Sequence, residues 1–123
     1  MQEHIFSQSF IKVPESRDKL RKFINSLPKN PGVYKFLDES KNPIYIGKAK
    51  NLKNRVASYF RKPLENSKKL KSLIGNIKGI ELTLTNTELE ALLMEQKQIK
   101  DEKPKFNVQF KDDKGYPWIK LET

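Results

Sequence analysis

Cysteine is absent from this chain of 123 residues, and histidine occurs once, at position 4. The absence of cysteine excludes disulfides, thiolate metal sites and a cysteine nucleophile. A single histidine has no second imidazole with which to form a ligand pair for a metal. Any acid–base chemistry must therefore come from tyrosine, lysine or carboxylate side chains.

Long apolar runs are also missing. The longest candidate, Ala91–Met94, has four residues, whereas a membrane span needs about 18. The first ten residues, MQEHIFSQSF, contain no basic segment followed by an apolar stretch, so a signal peptide is not expected. The chain length fits one compact domain and leaves little room for a second.

Positive charge is abundant, and most of it lies in one segment. The chain has 25 Lys and Arg against 15 Asp and Glu, a formal net charge of +10. Residues 45–71 carry nine basic side chains and one acidic one, and hence +8. A solvated lysine-rich face is one explanation, and anion binding is the other, with nucleic acid favoured over an acidic membrane. The basic residues of this segment are Lys48, Lys50, Lys53, Arg55, Arg61, Lys62, Lys68, Lys69 and Lys71.

Hydrophobic spacing predicts a small α+β domain, with a mostly antiparallel sheet flanked by helices. Helices are predicted over 18–27 after a cap at Ser16, from a cap at Asn51, from 66 or 67 to a stop at Gly79, and from a capping box at Thr87 to about 100. Strands are predicted over 33–37, 44–47, 80–85, 106–110 and 118–121. Residues 1–15 show no clear period, which predicts a flexible arm before a single domain of residues 16–123.

The two strands of the predicted hairpin carry near mirror-image triplets, GVY at 32–34 and YIG at 45–47. Glycine weakens a strand, so one in each triplet indicates close approach of another backbone or of a ligand. A plain hairpin with two core tyrosines and two bulges is the alternative.

A basic helix follows the second triplet. Lys48, Lys50 and Lys53 line its entry, where loop and helix N-terminal amides add positive potential that favours phosphate. Arg55 lies one turn before Tyr59 on the same helix face, so both can face a common cleft. Ordinary surface cations and a tyrosine that only packs are the alternative.

Glu95 lies in the middle of the fourth predicted helix. On a helical wheel that starts at Leu89, the inward residues are Leu92, Leu93 and Ile99, and Glu95 falls beside Ile99 at the border of this stripe. Most glutamates at such a border reach solvent, whereas one fixed toward a basic cleft is a candidate ligand for a hard cation. One carboxylate with waters and a phosphate oxygen suits Mg²⁺, which retains much of its hydration.

Together these features are typical of a phosphodiester hydrolase that uses neither histidine nor cysteine. A metal would polarise the phosphate, and Arg and Lys would stabilise charge on the phosphoryl oxygens. A tyrosine would accept the proton of water. Its ordinary pKa of about 10 is too high for this task, but neighbouring cations favour the phenolate.

The ordered motifs GVY (32–34), YIG (45–47), GKAKNLKNR (47–55) and TELEALLMEQKQIK (87–100) resemble the GIY-YIG endonuclease family. The resemblance is greatest to the N-terminal nuclease domains of the UvrC branch, in the bacterial excinuclease ABC system, and it extends through ASYF, KPKFN and DDKGYP. It covers roughly residues 27 to 121. Two departures are GVY in place of GIY and an atypical segment QKQIKDEKPKF at 96–106, which affects fine DNA contacts rather than catalysis.

The resemblance implies seven catalytic-site residues, namely Tyr34, Tyr45, Lys48, Arg55, Tyr59, Glu95 and Asn107. It implies that Tyr45 is the general base, with Tyr34 orienting the water or the base. Which of the two finally accepts the proton stays open. It further implies that Arg55 and Lys48 stabilise the phosphate, that Glu95 is the sole protein ligand of one divalent cation, and that the remaining two residues position substrate or the first ligands.

As a cofactor the resemblance implies Mg²⁺, with Mn²⁺ as an alternative. It also implies a cytoplasmic, monomeric domain from a longer protein, which acts on damaged double-stranded DNA 3′ to a lesion and meets the excinuclease protein UvrB through that longer protein. Two other functions remain open at this point. One is a stand-alone nuclease of another repair or mobile-element pathway, and the other is a DNA-binding module that does not cut.

Overall fold

The computed structural model describes residues 7–61 and 68–112. Four strands form one sheet in the order β1-β4-β2-β3, and every pair is antiparallel. The α+β architecture predicted from the sequence is therefore confirmed. The strands are β1 (Ser7–Lys12), β2 (Gly32–Leu37), β3 (Pro43–Ala49) and β4 (Gly79–Leu84). The helices are α1 (Arg17–Asn25), α2 (Leu52–Arg61), α3 (Lys68–Asn76), α4 (Glu88–Glu102) and α5 (Lys105–Asp112).

Strands β2 and β3 form the predicted hairpin, in a register that pairs Tyr34 with Gly47 and Phe36 with Tyr45. A register shift follows Phe36, near the loop. Strand β2 also pairs with β4 and so lies inside the sheet, whereas β3 lies at its edge. An edge strand needs other partners for its outward backbone groups.

The two faces of the sheet are covered by different helices. One face packs Tyr34 and Phe36 against α2 and α3, in the larger core cluster. The other face packs Val33 and Ile46 against Ala91 of α4. This division follows from strand geometry, since successive side chains point to opposite faces.

Side chains at the predicted caps begin three of the helices. Ser16 Oγ accepts from Lys19 N at 3.2 Å, and Asn51 Oδ1 accepts from Asn54 N at 3.0 Å. Thr87 Oγ1 accepts from Glu90 N at 3.1 Å, which confirms the cap of α4. Each such cap stabilises a helix by about 1 kcal/mol. No helix within residues 7–61 and 68–112 is long and apolar enough to cross a membrane.

The N-terminal segment differs from its prediction as a flexible arm over residues 1–15. Residues 7–12 are strand β1, which pairs with β4, and Val13 N continues this contact by donating to Lys78 O at 3.0 Å. The partner strand lies about seventy residues later in the chain. The hydrophobic period of so short a segment carries no information about a partner that distant.

The segment around Asn107 is a helix and not the strand predicted over 106–110. Residues 106 and 110 are four apart, a spacing that fits both the strand and the helix period, so alternation alone is ambiguous here. Pro104 at the helix start favours the helix, and Val108 N donates to Pro104 O at 3.1 Å. The strand predicted over 118–121 lies outside the described residues.

Candidate active site at the sheet edge

Two polar side chains occupy the free edge of β3. Asn107, on α5, accepts from Ile46 N at 2.8 Å and donates to Ile46 O at 2.9 Å. Glu95, on α4, accepts from Lys48 N at 3.1 Å through Oε2. These bonds replace those of a neighbouring strand, so the edge is satisfied and both side chains are held against it.

Glu95 lies within the sheet-facing side of α4 and not at its border. Leu89 and Leu93, predicted to point inward, are 63% and 62% exposed. The buried side chain is Ala91, beside which Met94 packs onto Val33 and Ile46 of the sheet. The wheel was therefore wrong because it began at an exposed leucine, whereas the small Ala91 is the residue that lets the helix approach the strands closely.

Partial burial determines the electrostatics of Glu95. Desolvation raises the pKa of its carboxyl above the ordinary value of 4.5. A hydrogen bond from Gln96 Nε2, 3.0 Å from Oε1, opposes this rise, as do the charge and the backbone amide of Lys48. The ionised carboxylate is thus incompletely compensated by the protein, and a bound cation would stabilise it.

The residues present fit a cation that is mostly hydrated. Among residues 7–61 and 68–112, no group of three or more His, Cys, Asp and Glu is placed to hold a metal. Glu95 would then be the single protein ligand, with water completing the shell. Mg²⁺ retains several waters and binds through one or two carboxylates, so this donor set suits it.

Lys48 is held by α4 at two points. Its side chain is nearly buried, and Nζ lies 3.6 Å from Glu88 Oε2, while its backbone amide donates to Glu95. Glu88 and Glu95 are seven residues apart and therefore share a helix face. The sequence analysis missed Glu88 as a site residue, although this spacing was a readable signal. The cap instead uses Glu90, whose Oε1 accepts from Asn86 N at 2.8 Å.

Three tyrosines meet on the opposite face of the hairpin. Tyr34, Tyr45 and Tyr59 are all buried, with ring centroids 5.8 to 6.4 Å apart. The hydroxyls of Tyr34 and Tyr59 share a hydrogen bond of 2.7 Å. This bond joins the hairpin to α2 and fixes one phenol oxygen relative to the helix that carries Arg55.

The triplet glycines make room for neighbouring protein groups. A Cβ on Gly47 would lie 2.3 Å from Tyr34 Oη, because the ring of Tyr34 crosses the paired strand at that point. A Cβ on Gly32 would lie 2.3 Å from Thr83 O in β4. The close approach predicted from the glycines is therefore confirmed, as a backbone contact at Gly32 and as a tyrosine ring at Gly47.

The first turn of α2 does not offer free amides to a phosphate, contrary to the sequence prediction. Leu52 N donates to Asn30 O at 3.0 Å, and Lys53 N donates to Pro28 O at 2.9 Å. The next amide is used by the Asn51 cap. Phosphate binding at this helix must therefore depend on side chains rather than on backbone donors.

The predicted basic residues differ in their access to solvent. Lys50, Lys68 and Lys71 are exposed, while Lys53, Arg55 and Lys69 are half-buried. The remaining described lysine of the segment, Lys48, is 7% exposed. The side chain of Arg61 and the whole of Lys62 lie outside what is described.

The fold and the site define a domain of the GIY-YIG class, with hairpin tyrosines on one sheet face and a carboxylate at the hairpin's free edge. The model of the UvrC-like GIY-YIG domain matches residues 30–108. The chain belongs to this family.

Relatives and solved structures agree with this assignment. UvrABC system protein C of Chlorobium luteolum is 46% identical over 101 residues, which are 82% of this chain and 16% of that protein. The Haemophilus ducreyi protein of the same name is 47% identical over 106 residues, 86% of this chain and 17% of its own length. This chain thus spans about one sixth of the curated relatives it matches.

A solved structure covers the same region. It is the GIY-YIG N-terminal endonuclease domain of UvrC from Thermotoga maritima, bound to its catalytic divalent cation, magnesium. The two chains are 36% identical with a TM-score of 0.62, over 74% of this chain and 98% of that one.

Proposed function

We propose that this domain is a divalent-metal-dependent DNA endonuclease of bacterial nucleotide excision repair, which hydrolyses a phosphodiester on the 3′ side of a lesion. The observation that carries the proposal is the partly buried Glu95 carboxylate, held on the backbone of the strand that carries Tyr45. The Thermotoga domain, an endonuclease with bound magnesium, supports it.

Glu95 would hold the cation, with Mg²⁺ as the first candidate and Mn²⁺ as the alternative. The ion, when bound, would supply positive charge to the phosphate oxygens. The protein's part is to keep the carboxylate ionised and oriented. The Lys48 amide and Gln96 do this by donating one hydrogen bond to each carboxylate oxygen.

Tyr45 would accept the proton of the attacking water, while Tyr34 orients it. The hydrogen bond between Tyr34 and Tyr59 supports this division, because it already engages the Tyr34 hydroxyl. Arg55, one helical turn before Tyr59, would stabilise the charge that develops on the phosphate. Asn107 would act through Ile46, by fixing the edge of the strand that carries the base.

The substrate and partners follow from the same family membership. The substrate would be damaged double-stranded DNA, and the partner would be UvrB, met through a longer protein of which this domain is one part. Such a domain would act as a monomer in the cytoplasm, where that DNA is found. The exposed and half-buried lysines of α2 and α3 would bind the DNA backbone without reading sequence.

A nicking assay on supercoiled and lesion-containing DNA tests the proposal. The wild-type domain should nick in Mg²⁺ or Mn²⁺ and not in chelator. Glu95→Gln and Arg55→Ala should each lower the rate by about 100-fold or more, since each removes charge stabilisation from the transition state. Asp101→Asn changes an exposed acid on the same helix and should cut normally.

Binding of Mn²⁺ should be measured beside cleavage, by electron paramagnetic resonance. Loss of Mn²⁺ binding in Glu95→Gln, with the fold intact, supports the metal site even where nicking needs partner proteins. DNA binding without cleavage in every metal, also with the partner proteins added, would contradict the nuclease and favour a binding module.

A further inference from the structure

The charge of the domain is divided between the two faces of its sheet. Helix α1 has four basic residues against one acidic, and α2 and α3 have three basic residues each and no acidic one, so each carries a net +3. These three helices contribute to, or adjoin, the larger core cluster on one face. Helix α4, on the other face, has five acidic residues against two lysines, a net −3.

Helix α1 is fixed beside α2. The two helices are in contact, and the loop between α1 and β2 supplies the carbonyls of Pro28 and Asn30 to the first-turn amides of α2. The charge of α1 therefore has a fixed place next to the helix that carries Arg55. The family model begins at residue 30, so α1 lies outside the matched region and is a feature of this chain.

The cations of α1 are available to a ligand. They are exposed, as is Lys29 in the following loop, whereas Leu20, Phe23 and Ile24 are turned partly inward. None of these cations forms an ion pair with another residue of the described ranges. By contrast, Lys35, Lys48 and Lys97 are each paired with an acidic side chain. The cations in question are Arg17, Lys19, Arg21, Lys22 and Lys29.

We propose that α1, together with Lys29, is a second contact surface for the backbone of duplex DNA, continuing the α2 surface away from the reacting phosphate. The inference rests on the proposed function and extends it. Nine helical residues are about 13.5 Å long, enough to follow about four base pairs at one phosphate per 3.4 Å of each strand. The side chains would contact phosphates and would not read bases.

An anionic membrane is the other polyanion that such a helix could meet, but the structure favours DNA. Helices that lie on membranes bury an apolar face in the lipid, and the apolar face of α1 already packs toward the core. The large hydrophobic side chains that are exposed, Leu89, Leu93 and Val108, lie on α4 and α5.

A matched pair of double variants tests the proposal. Arg21→Gln/Lys22→Gln removes two charges from α1, and Lys97→Gln/Lys100→Gln removes two from the exposed side of α4. All four positions are exposed, so both proteins should fold, which circular dichroism would check. Affinity for a duplex of about 30 base pairs, enough to span both surfaces, is measured by fluorescence anisotropy, without divalent cation, over a range of salt concentrations.

If α1 contacts DNA, the α1 variant should lose about 1.8 from the log–log salt slope, at about 0.9 per phosphate contact. Its affinity at about 0.1 M salt should fall on the order of 10-fold or more, and the α4 variant should change by less than about twofold. An unchanged α1 variant would overturn the inference. So would an equal loss in both variants, because a general effect of net charge would then explain the binding.

Two further measurements separate this inference from the proposed function. Metal-dependent nicking by the wild-type domain with unchanged DNA binding by the α1 variant would refute the second surface and leave the nuclease intact. Tight binding of wild-type protein to anionic lipid vesicles, abolished in the α1 variant while DNA binding is retained, would show that the surface binds membrane instead.

Discussion

Glu95 combines two properties that usually exclude each other, a partly buried position and an ionisable carboxyl without a close cationic partner on its oxygens. Its hydrogen bonds come from an amide of the strand edge and from Gln96. Lys48 contributes its charge from a distance, since its ammonium lies nearest to Glu88. The carboxylate is therefore positioned but not neutralised, as expected of a group that receives a cation.

The raised pKa of Glu95 predicts two opposite responses to pH. A metal ligand must be ionised, so Mn²⁺ binding should weaken on acidification, starting at a higher pH than for an exposed glutamate. Without metal, a carboxyl with a raised folded-state pKa stabilises the fold below the unfolded value, and this contribution is lost as pH rises through the folded value.

Denaturant unfolding in chelator, followed from about pH 4 to 7, measures the second response. The wild-type domain should lose stability relative to Glu95→Gln as pH rises above the ordinary glutamate pKa, and added Mg²⁺ should reverse the loss. Parallel curves for the two proteins would show that the carboxyl is not destabilised by its burial.

Gln98 offers a test of polar burial that is independent of the site. Its Oε1 is buried and accepts no hydrogen bond from any residue in the described ranges. Gln98→Leu removes this cost with little change in helix propensity, and should raise the free energy of unfolding by about 1 kcal/mol. Thermal unfolding checks this, and a less stable variant would mean that the amide has a partner in solution.

The hairpin and the two helices at its edge form the working element of the domain. Strand β3 places Tyr45 on one face and Lys48 on the other, while Glu95 and Asn107 close its open side. The edge protection that keeps the domain from pairing with another strand is thus provided by proposed site residues. Stability and function are coupled at this strand.

Substitution of the two glycines tests this coupling. Gly47→Ala would place a methyl group against the buried ring of Tyr34, and should cost about 1–3 kcal/mol or more and strongly reduce cleavage. Gly75→Ala, in α3, meets nothing within 4 Å and should stabilise the domain by about 0.5–1 kcal/mol. A Gly47→Ala domain as stable and active as wild type would contradict the packing of Tyr34 on β3.

At the scale of the whole molecule, distant segments complete the sheet and separate the charge. Strand β1 comes first in the chain but pairs with β4, the last strand described. The basic helices lie on the tyrosine side and the acidic α4 on the other. A polyanion would therefore be attracted to one side of the domain, the side of the proposed base.

Two truncations test the contribution of β1. Deletion of residues 1–12 removes four paired positions from the edge of β4, and should cost about 2–4 kcal/mol at about 0.5–1.5 kcal/mol per net hydrogen bond. Deletion of residues 1–6 leaves those positions and should change little. Chemical denaturation compares the two, and equal stabilities would support the flexible arm predicted from the sequence.

Much of the local structure was readable from the sequence because its causes are local. Caps at Ser16, Asn51 and Thr87 are side chains acting three residues away, and the helix starts they predict are confirmed. The paired triplets also indicated the hairpin and its close contacts. The glycines at 32 and 47 reported those contacts, although not which group makes them.

Other features were decided by tertiary structure, because their causes lie far apart in the chain. The inward face of α4 was set by the sheet it covers, which selected Ala91 over Leu89 and Leu93. Strand β1 needed β4, and the amides of α2 were taken by a loop that the wheel could not include. By itself the sequence determined which groups were available for chemistry, tyrosine, lysine, arginine and one well-placed glutamate. Only the folded sheet edge decided that Glu95 is partly buried, hydrogen-bonded to a strand and still in need of a cation.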